Sequence, residues 1–279
     1  MARIEVEPGL SVHCRIDDFQ FPWMQSSPVF MVHGFSRNAS IWNRWMPQVT
    51  DAHRTYRLEL RGCGDSDVPP DDYAVTLDLL FRDVIKVLDA LGLDRVHYVG
   101  ESSSGLFGSY FAVAHPERMA SLTMCETGIS MAKLATAYST GADNAPTAIR
   151  TLGVAEWCRK TLGFRIDLNK AGPEMAEWYV RTLTHTPRHV AAAMMTCFSA
   201  IDLAPILSKI QCPTLLLSGD KSGPASVEDL ERAQREIPQA RLKIFPGYGH
   251  GIHVLQGEAC AAEAVRFWKD VDAGTFRPG

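Results

Sequence analysis

The sequence lacks the features that would place this chain in a membrane, on nucleic acid or in a disulfide framework. No run of roughly 18 uncharged apolar residues occurs, which argues against a membrane-spanning helix. Basic residues number 28 and acidic residues 32, so no basic surplus points to nucleic acid or to an anionic membrane. The seven cysteines are scattered and include no Cys-x-x-Cys pair, as is typical of buried thiols in a reducing cytoplasm.

The sequence also lacks the signatures of bound cofactors. It contains no phosphate-binding glycine loop, no dinucleotide fingerprint and no set of residues at metal-ligand spacing. The first twenty residues contain no continuous apolar core, so no signal peptide is expected. We therefore expect a cytoplasmic globular protein of one or two domains that uses neither a metal nor a cofactor. A homodimer is one expectation for its assembly.

Short apolar runs alternate with amphipathic stretches, which is typical of a parallel sheet with helices on both faces. Residues 28–33 (PVFMVH) are apolar up to the final histidine, as expected for a strand buried on both sides. Residues 76–91 have apolar side chains at helical spacing and end before Gly92. We predict an α/β fold with a mostly parallel eight-stranded sheet. The predicted strands are residues 3–6, 12–17, 28–33, 55–60, 96–99, 119–125, 214–218 and 241–245.

One connection between predicted strands is too long for a simple crossover. Residues 128–213 separate two consecutive strands, whereas a crossover needs little more than a dozen residues. We predict a core domain formed by residues 1–129 and 206–279, with a helical cap (residues 130–205) inserted between its two parts. The helices predicted in the cap are residues 154–162, 173–183 and 188–198.

The segment VGESSSG (99–105) leads from a predicted strand into a predicted helix. A nucleophile elbow needs small residues two positions before and after the nucleophile, because the tight turn brings their backbones together. Ser102 meets this condition with Gly100 and Ser104, although Ser104 stands where glycine is usual. The alternative interpretation is a serine-rich helix cap, since serine is favoured at helix N-termini.

A second segment could supply hydrogen-bond donors to the same place. His33 and Gly34 follow a predicted strand and form a tight turn, so the next backbone N–H, that of Phe35, is exposed at the carboxyl edge of the sheet. Together with the N–H of Ser103, it would stabilise the negative oxygen of a tetrahedral intermediate.

The base and the acid are sought among residues that follow strands. Of the nine histidines, His250 is the best candidate base, because it lies in a glycine-rich loop after the last strand; His253 is expected to support that loop. A catalytic histidine needs a carboxylate that orients it. Asp220 and Glu126 each follow a strand and are the two candidates, whereas Glu101 is expected to point away across the elbow.

These segments, in this order, resemble the α/β-hydrolase fold family, and the resemblance covers essentially the whole chain. It is specific for the fold and a poor guide to the substrate, because this fold hosts many chemistries. The matching motifs are HGF at 33–35, RGCGDSD at 61–67, VGESSS at 99–104, LLLSGDKS at 215–222 and GYGHGIHV at 247–254.

Carried over position by position, the resemblance implies Ser102 as nucleophile, His250 as base, and the amides of Phe35 and Ser103 as the oxyanion hole. The family's usual acid position is occupied here by a serine, Ser222.

The acid is therefore expected to be displaced to Glu126, in preference to Asp220. An acid after strand six is a variation seen in haloalkane dehalogenases, zearalenone-type lactonases and cofactor-independent dioxygenases. Dehalogenases use an aspartate nucleophile, which Ser102 argues against.

The resemblance implies hydrolysis of a carboxylic ester or lactone through an acyl-enzyme, and the cap segment is similar to that of 3-oxoadipate enol-lactonases. Flexible methionines beside rigid aromatic rings suit apolar substrates, including aromatic molecules. No cluster of arginine or lysine in the cap points to a strongly anionic substrate. The candidate substrate-binding residues are Trp157, Trp178, Met194 and Phe198, although packing of the cap's own core is the plainer interpretation of each.

Three alternatives stay open from the sequence. A cofactor-independent oxygenase would use a histidine–acid pair, with Ser102 only binding the substrate. A hydrolase of carbon–carbon bonds would use the same three residues as an esterase. A catalytically silent binding protein is the third, and the intact Ser102–His250 pair argues against it.

Overall fold

The computed structural model describes residues 1–279, apart from the side chain of Lys133. Eight strands form one sheet: β1 (Ala2–Glu7), β2 (Leu10–Asp17), β3 (Val29–Val32), β4 (Thr55–Glu59), β5 (Val96–Glu101), β6 (Met119–Cys125), β7 (Thr214–Gly219) and β8 (Ala240–Phe245). Their spatial order is β1-β2-β4-β3-β5-β6-β7-β8. The pairs β1–β2 and β2–β4 are antiparallel and the others are parallel. The prediction of a mostly parallel eight-stranded sheet is confirmed.

Helices cover both faces of the sheet and fill the long connection. Helix α2 begins where the Thr76 side chain accepts a hydrogen bond from the Leu79 N–H, as expected of a threonine N-cap. The α-helices are α1 (Met46–Ala52), α2 (Leu77–Ala90), α3 (Ser103–Ala114), α4 (Ala135–Ser139), α5 (Ala145–Leu152), α6 (Val154–Thr161), α7 (Pro173–Thr184), α8 (Arg188–Ser199), α9 (Val227–Glu236), α10 (Ile252–Leu255) and α11 (Gly257–Asp272).

The sheet separates two hydrophobic cores. In β3, Phe30 and Val32 pack in one core while Val29 and Met31 pack in the other, because successive side chains of a strand point to opposite faces. All four side chains are fully buried. This explains why the central strand is uniformly apolar in the sequence.

Helices α4 to α8 lie between β6 and β7 in the chain, within the segment predicted to be the cap. The short helix α4 (ATAYS) has no recognisable signal, because it is five residues long and contains only one large apolar side chain. The sequence prediction also omits α5, although Asn144 at its N-cap and a proline in its first turn are helix-start signals. No helix among the described residues combines the length and the apolar character needed to cross a membrane.

Candidate active site

The turn between β5 and α3 holds Ser102 in a strained conformation. Its φ of 53° and ψ of −114° lie in a region that residues other than glycine rarely adopt. A Cβ atom on Gly100 would come within 2.5 Å of the backbone nitrogen of Gly105, so only glycine fits there. This is the close backbone approach that the spacing of small residues predicts.

Ser104, which replaces the usual glycine of the elbow, is accommodated by a hydrogen bond. Its buried hydroxyl donates to the carbonyl oxygen of His33, at the end of the neighbouring strand. The extra side chain therefore ties the elbow to the turn that follows β3.

That turn is held in place by the His33 side chain. Its Nε2 accepts the N–H of Leu60 at 3.0 Å, which places the proton on Nδ1, 2.7 Å from the carbonyl oxygen of Gly34. Burial lowers the pKa of His33, so the ring is neutral at pH 7, as these bonds require. Among the described residues, neither the Phe35 N–H nor the Ser103 N–H has an acceptor in the protein. Both predicted oxyanion donors are thus unused.

His250 is buried in the loop between β8 and α10. Its Nδ1 lies 3.2 Å from Ser222 Oγ and 3.8 Å from Glu126 Oε1. Its Nε2 lies 4.0 Å from Glu101 Oε1. Among the described side chains, no hydrogen bond joins the ring to the Ser102 hydroxyl. Burial lowers the pKa of His250, against the opposing effect of Glu126 and Glu101, so the imidazole is uncharged at pH 7 and able to accept a proton.

Glu126 is the carboxylate that faces the Nδ1 side of His250. It is fully buried, its backbone has a positive φ of 57°, and its Oε1 accepts the Gly251 N–H at 2.6 Å. Its Oε2 accepts a 2.7 Å hydrogen bond from His253 Nδ1. Burial raises the pKa of Glu126, but the nearby His250 and the bond from His253 outweigh it and lower the pKa to about 2. The carboxylate is therefore ionised at pH 7.

Asp220, the other candidate acid, lies on the surface. Its Oδ1 accepts the Gly247 N–H at 2.7 Å and so closes the turn after β8. Within the described side chains it forms no ion pair with His250. The serine at the family's usual acid position, Ser222, contacts the imidazole instead.

The expectation that Glu101 points away from the site is wrong. Its buried carboxylate accepts the Gly34 N–H at 2.8 Å, and its Oε1 lies 3.5 Å from Arg37 Nη2. The same oxygen is 4.0 Å from His253 Nδ1. Burial raises the pKa of Glu101, but the Arg37 guanidinium outweighs it and lowers the pKa below its ordinary value. The Glu101 side chain therefore points into the protein and fills the space next to Gly34.

Among the described residues, three groups of side chains have potential metal ligands within 4.8 Å of one another, and one of them, Glu101, Glu126 and His253, lies in this site. Arg37 already supplies positive charge there, with Nη1 3.4 Å from His253 Nε2. The group is best described as a buried network of two carboxylates, two imidazoles (His250 and His253) and one guanidinium.

Comparison with known proteins identifies this architecture. Residues 27–256 match the alpha/beta hydrolase fold family. The chain belongs to this family. 3-Oxoadipate enol-lactonase 1 of Acinetobacter baylyi is 28% identical over 206 residues, covering 72% of this chain and 74% of that protein. The predicted membership and fold are confirmed, and with them a hydrolase of ester bonds at the level of the family.

Solved structures of the same fold include an esterase and an enol-lactonase. A thermophilic esterase from Thermogutta terrifontis superposes with a TM-score of 0.83 at 23% identity, covering 97% of this chain and 98% of that one. An enol-lactonase from Burkholderia xenovorans superposes with a TM-score of 0.79 at 20% identity, covering 95% and 99% of the two chains. At these identities the likeness concerns the fold.

The four predicted substrate-binding residues of this α/β hydrolase are divided between the cap's interior and its partly exposed surface. Trp157, Met194 and Phe198 are buried in the core that also contains Phe30 and Val32. The Trp157 Nε1 donates to the Tyr138 carbonyl at 2.7 Å. Trp178 is partly buried and contacts both cores. Their roles in binding stay predictions.

Ser102 and Glu126 line the same small cavity of about 20 Å³, which has room for about one water molecule. Met131 and Tyr138 of the cap form part of its wall. The same two residues also line a surface cleft of about 640 Å³ that opens between α4, α5 and α8. These two side chains therefore border both the surface cleft and the cavity that Ser102 lines.

Sequence reasoning missed Arg165, a buried cap residue near this wall. Its Cζ lies 4.8 Å from the centre of the Tyr138 ring. Nothing in the segment GFRID distinguishes this arginine from a surface residue, because its burial depends on rings that other parts of the chain supply.

The buried Glu126 makes the fold sensitive to acid. Its pKa of about 2 in the folded protein lies below its ordinary value of 4.5, so the unfolded chain binds protons more readily. The stabilisation, roughly 3 kcal/mol, is present above pH 4.5 and is lost as the pH falls towards 2. We expect the urea midpoint to fall between pH 6 and pH 3, and to fall less in Glu126→Gln.

Asp220→Asn, which removes an exposed carboxylate, is the control for this measurement and should keep the wild-type slope. Equal acid sensitivity in wild type and Glu126→Gln would contradict the assignment of the acid sensitivity to Glu126.

Proposed function

We propose that this chain hydrolyses the ester bond of a small carboxylic ester or lactone through a Ser102–His250–Glu126 triad. The observation that carries the proposal is the strained elbow at Ser102, next to a cavity that Ser102 shares with the ionised carboxylate of Glu126. Backbone strain of this kind is kept where the surroundings enforce it, often at catalytic residues.

In the proposed reaction, Ser102 Oγ attacks the carbonyl carbon while its proton passes to His250 Nε2. The Phe35 and Ser103 amides stabilise the negative oxygen of the intermediate. When the ester C–O bond breaks, His250 returns the proton to the leaving alcohol oxygen. Water then attacks the acyl carbon and gives a proton to His250. The bond between Ser102 Oγ and the acyl carbon breaks, His250 passes that proton to Oγ, and the carboxylic acid is released.

Glu126 contributes by its charge and its hydrogen bonds. Its Oε1 lies 3.8 Å from His250 Nδ1, close enough to stabilise the imidazolium formed during each step. The bond between Ser102 and His250 is absent among the described side chains, and catalytic hydrogen bonds often tighten only when substrate binds.

The predicted substrate is a small molecule whose main part is apolar, and aromatic molecules belong to this class. Aromatic rings of Phe35, Tyr138 and Trp157 pack edge to face beside the cavity and support this choice. The enol-lactonase relative supports a lactone as readily as an open ester. The cytoplasmic location and the homodimer stay predictions.

A fluorophosphonate probe tests the proposal without knowledge of the substrate. The activated hydroxyl should react with the probe, and peptide mass spectrometry should locate the adduct on Ser102. Labelling carried out at pH 4, where a larger fraction of His250 is protonated than at pH 7, should be slower. An unlabelled protein, or an adduct on another serine, would argue for a binding protein or for the oxygenase alternative.

A further inference from the structure

Arg165 follows α6 and a short helical turn in the cap, and only 5% of its surface is exposed. Its Nε donates to Thr161 Oγ1 at 2.9 Å. Its Nη2 is buried and has no hydrogen-bond partner among the residues whose side chains are described. A buried guanidinium with an unused donor costs free energy unless a partner arrives.

Three aromatic rings surround this guanidinium. Its Cζ lies 4.1 Å from the centre of the Trp157 ring, 4.8 Å from that of Tyr138 and 5.5 Å from that of Phe35. The rings attract the cation, but they offer no lone pairs to its N–H groups. In the described part of the chain, no carboxylate forms an ion pair with Arg165.

The other buried arginine of the site is already neutralised. Arg37 Nη2 lies 3.5 Å from Glu101 Oε1, and the Arg37 guanidinium stacks 3.9 Å above the Tyr179 ring. The positive charge of Arg165 also lowers the pKa of Arg37, after the larger effect of burial, which shows that the two cations share one region. Arg165 is thus the cation without a protein counter-charge.

One of the rings around Arg165 borders the cavity of the proposed nucleophile. Tyr138 lines the cavity that contains Ser102, and Phe35 carries one of the proposed oxyanion amides. A group bound to Arg165 would therefore lie close to the Tyr138 ring, which also borders the cavity of the nucleophile. This arrangement suits a second functional group on the same small molecule.

We propose that Arg165 binds a carboxylate carried by the substrate, so that the enzyme acts on an ester or lactone with a second, anionic acid group. The inference rests on the proposed ester hydrolysis. Guanidinium groups bind carboxylates through two parallel N–H···O bonds, which would use the free Nη2. The aromatic rings then hold the apolar part of the molecule. The sequence expectation of a substrate without strong negative charge is replaced by this proposal.

Two matched esters test it: mono-p-nitrophenyl glutarate, which carries a free carboxylate, and p-nitrophenyl pentanoate, which does not. We expect wild type to have the higher kcat/KM on the glutarate, by about tenfold. Arg165→Met should lower kcat/KM on the glutarate by about 100-fold, mainly through KM, and should change the pentanoate value less than threefold. Arg165→Lys should keep part of the preference, because it retains the charge.

Arg181→Met, a change of an exposed arginine on α7, is the matched control and should leave both values unchanged. Equal loss on both esters in Arg165→Met, or no loss on either, would overturn the proposal while ester hydrolysis stands. No turnover of either ester by wild type would overturn ester hydrolysis instead.

If wild type turns over neither ester, a binding measurement still tests whether Arg165 binds a carboxylate. Glutarate should raise the melting temperature of wild type and not that of Arg165→Met. The same increase in both proteins would overturn the proposal. The variant alone should melt no lower than wild type, since it loses a buried charge without a counter-charge; a purely structural arginine would lower the melting temperature.

Discussion

Ser102→Ala is expected to lower ester turnover by about 10⁴-fold or more, to the level that binding and the oxyanion amides alone provide. In the proposed mechanism the Ser102 hydroxyl forms the covalent acyl-enzyme, and alanine has no oxygen that could replace it. Alanine can adopt the same strained backbone conformation at position 102, so the amides of Phe35 and Ser103 stay in place. The measurement is kcat for a p-nitrophenyl ester with burst kinetics in wild type and their absence in the variant.

The control for Ser102→Ala is Ser109→Ala, on the same helix. The Ser109 hydroxyl bonds to the Gly105 carbonyl at 2.8 Å and lies outside the catalytic cavity, so turnover should change little. Retained turnover in Ser102→Ala, with consumption of oxygen, would identify the oxygenase alternative. Retained hydrolysis without oxygen consumption would refute the nucleophile assignment altogether.

Glu126→Gln is expected to lower kcat by about 10³- to 10⁴-fold, comparable to the loss when the acid of a serine triad is made neutral. The amide keeps the volume of the side chain but removes the charge that stabilises the imidazolium of His250. It also presents an NH₂ group where His253 Nδ1 and the Gly251 N–H both donate, so one of these bonds must be given up.

Asp220→Asn provides the comparison for the acid. The side chain is exposed and accepts the Gly247 N–H, a bond that asparagine can also accept, so we expect a change of less than threefold. A larger loss in Asp220→Asn than in Glu126→Gln would transfer the acid role to Asp220. Both variants should be compared at pH 7, where the wild-type Glu126 carboxylate is ionised.

The orientation of Glu101 illustrates why some site contacts could not be predicted. Its inward position depends on the Gly34 N–H and on Arg37, which belong to a turn about 60 residues earlier in the chain. The same holds for Glu126, whose Oε2 accepts a hydrogen bond from His253, 127 residues away. His253, expected only to support its loop, therefore competes with His250 for the carboxylate. Sequence spacing contains no information on which of two histidines such a carboxylate bonds.

The cap shows the same division on a larger scale. Its position was predictable from the length of the connection between two predicted strands. Helices α6 to α8 were predictable from their apolar periodicity. The aromatic box around Arg165 was not predictable, because Phe35, Tyr138 and Trp157 come from three separate segments. Which of the many cap residues meet at one point depends on how the helices pack.

The sequence by itself determined the strands, the elbow at Ser102 and the insertion between β6 and β7. These features follow from local rules: apolar runs form buried strands, and small residues permit a tight turn. Only the tertiary structure decided which charges meet. It places Glu126 against His250, leaves Asp220 on the surface and gives Arg165 no counter-charge among the described side chains. Electrostatic contacts act through space between distant segments, so they exist only once the chain has folded.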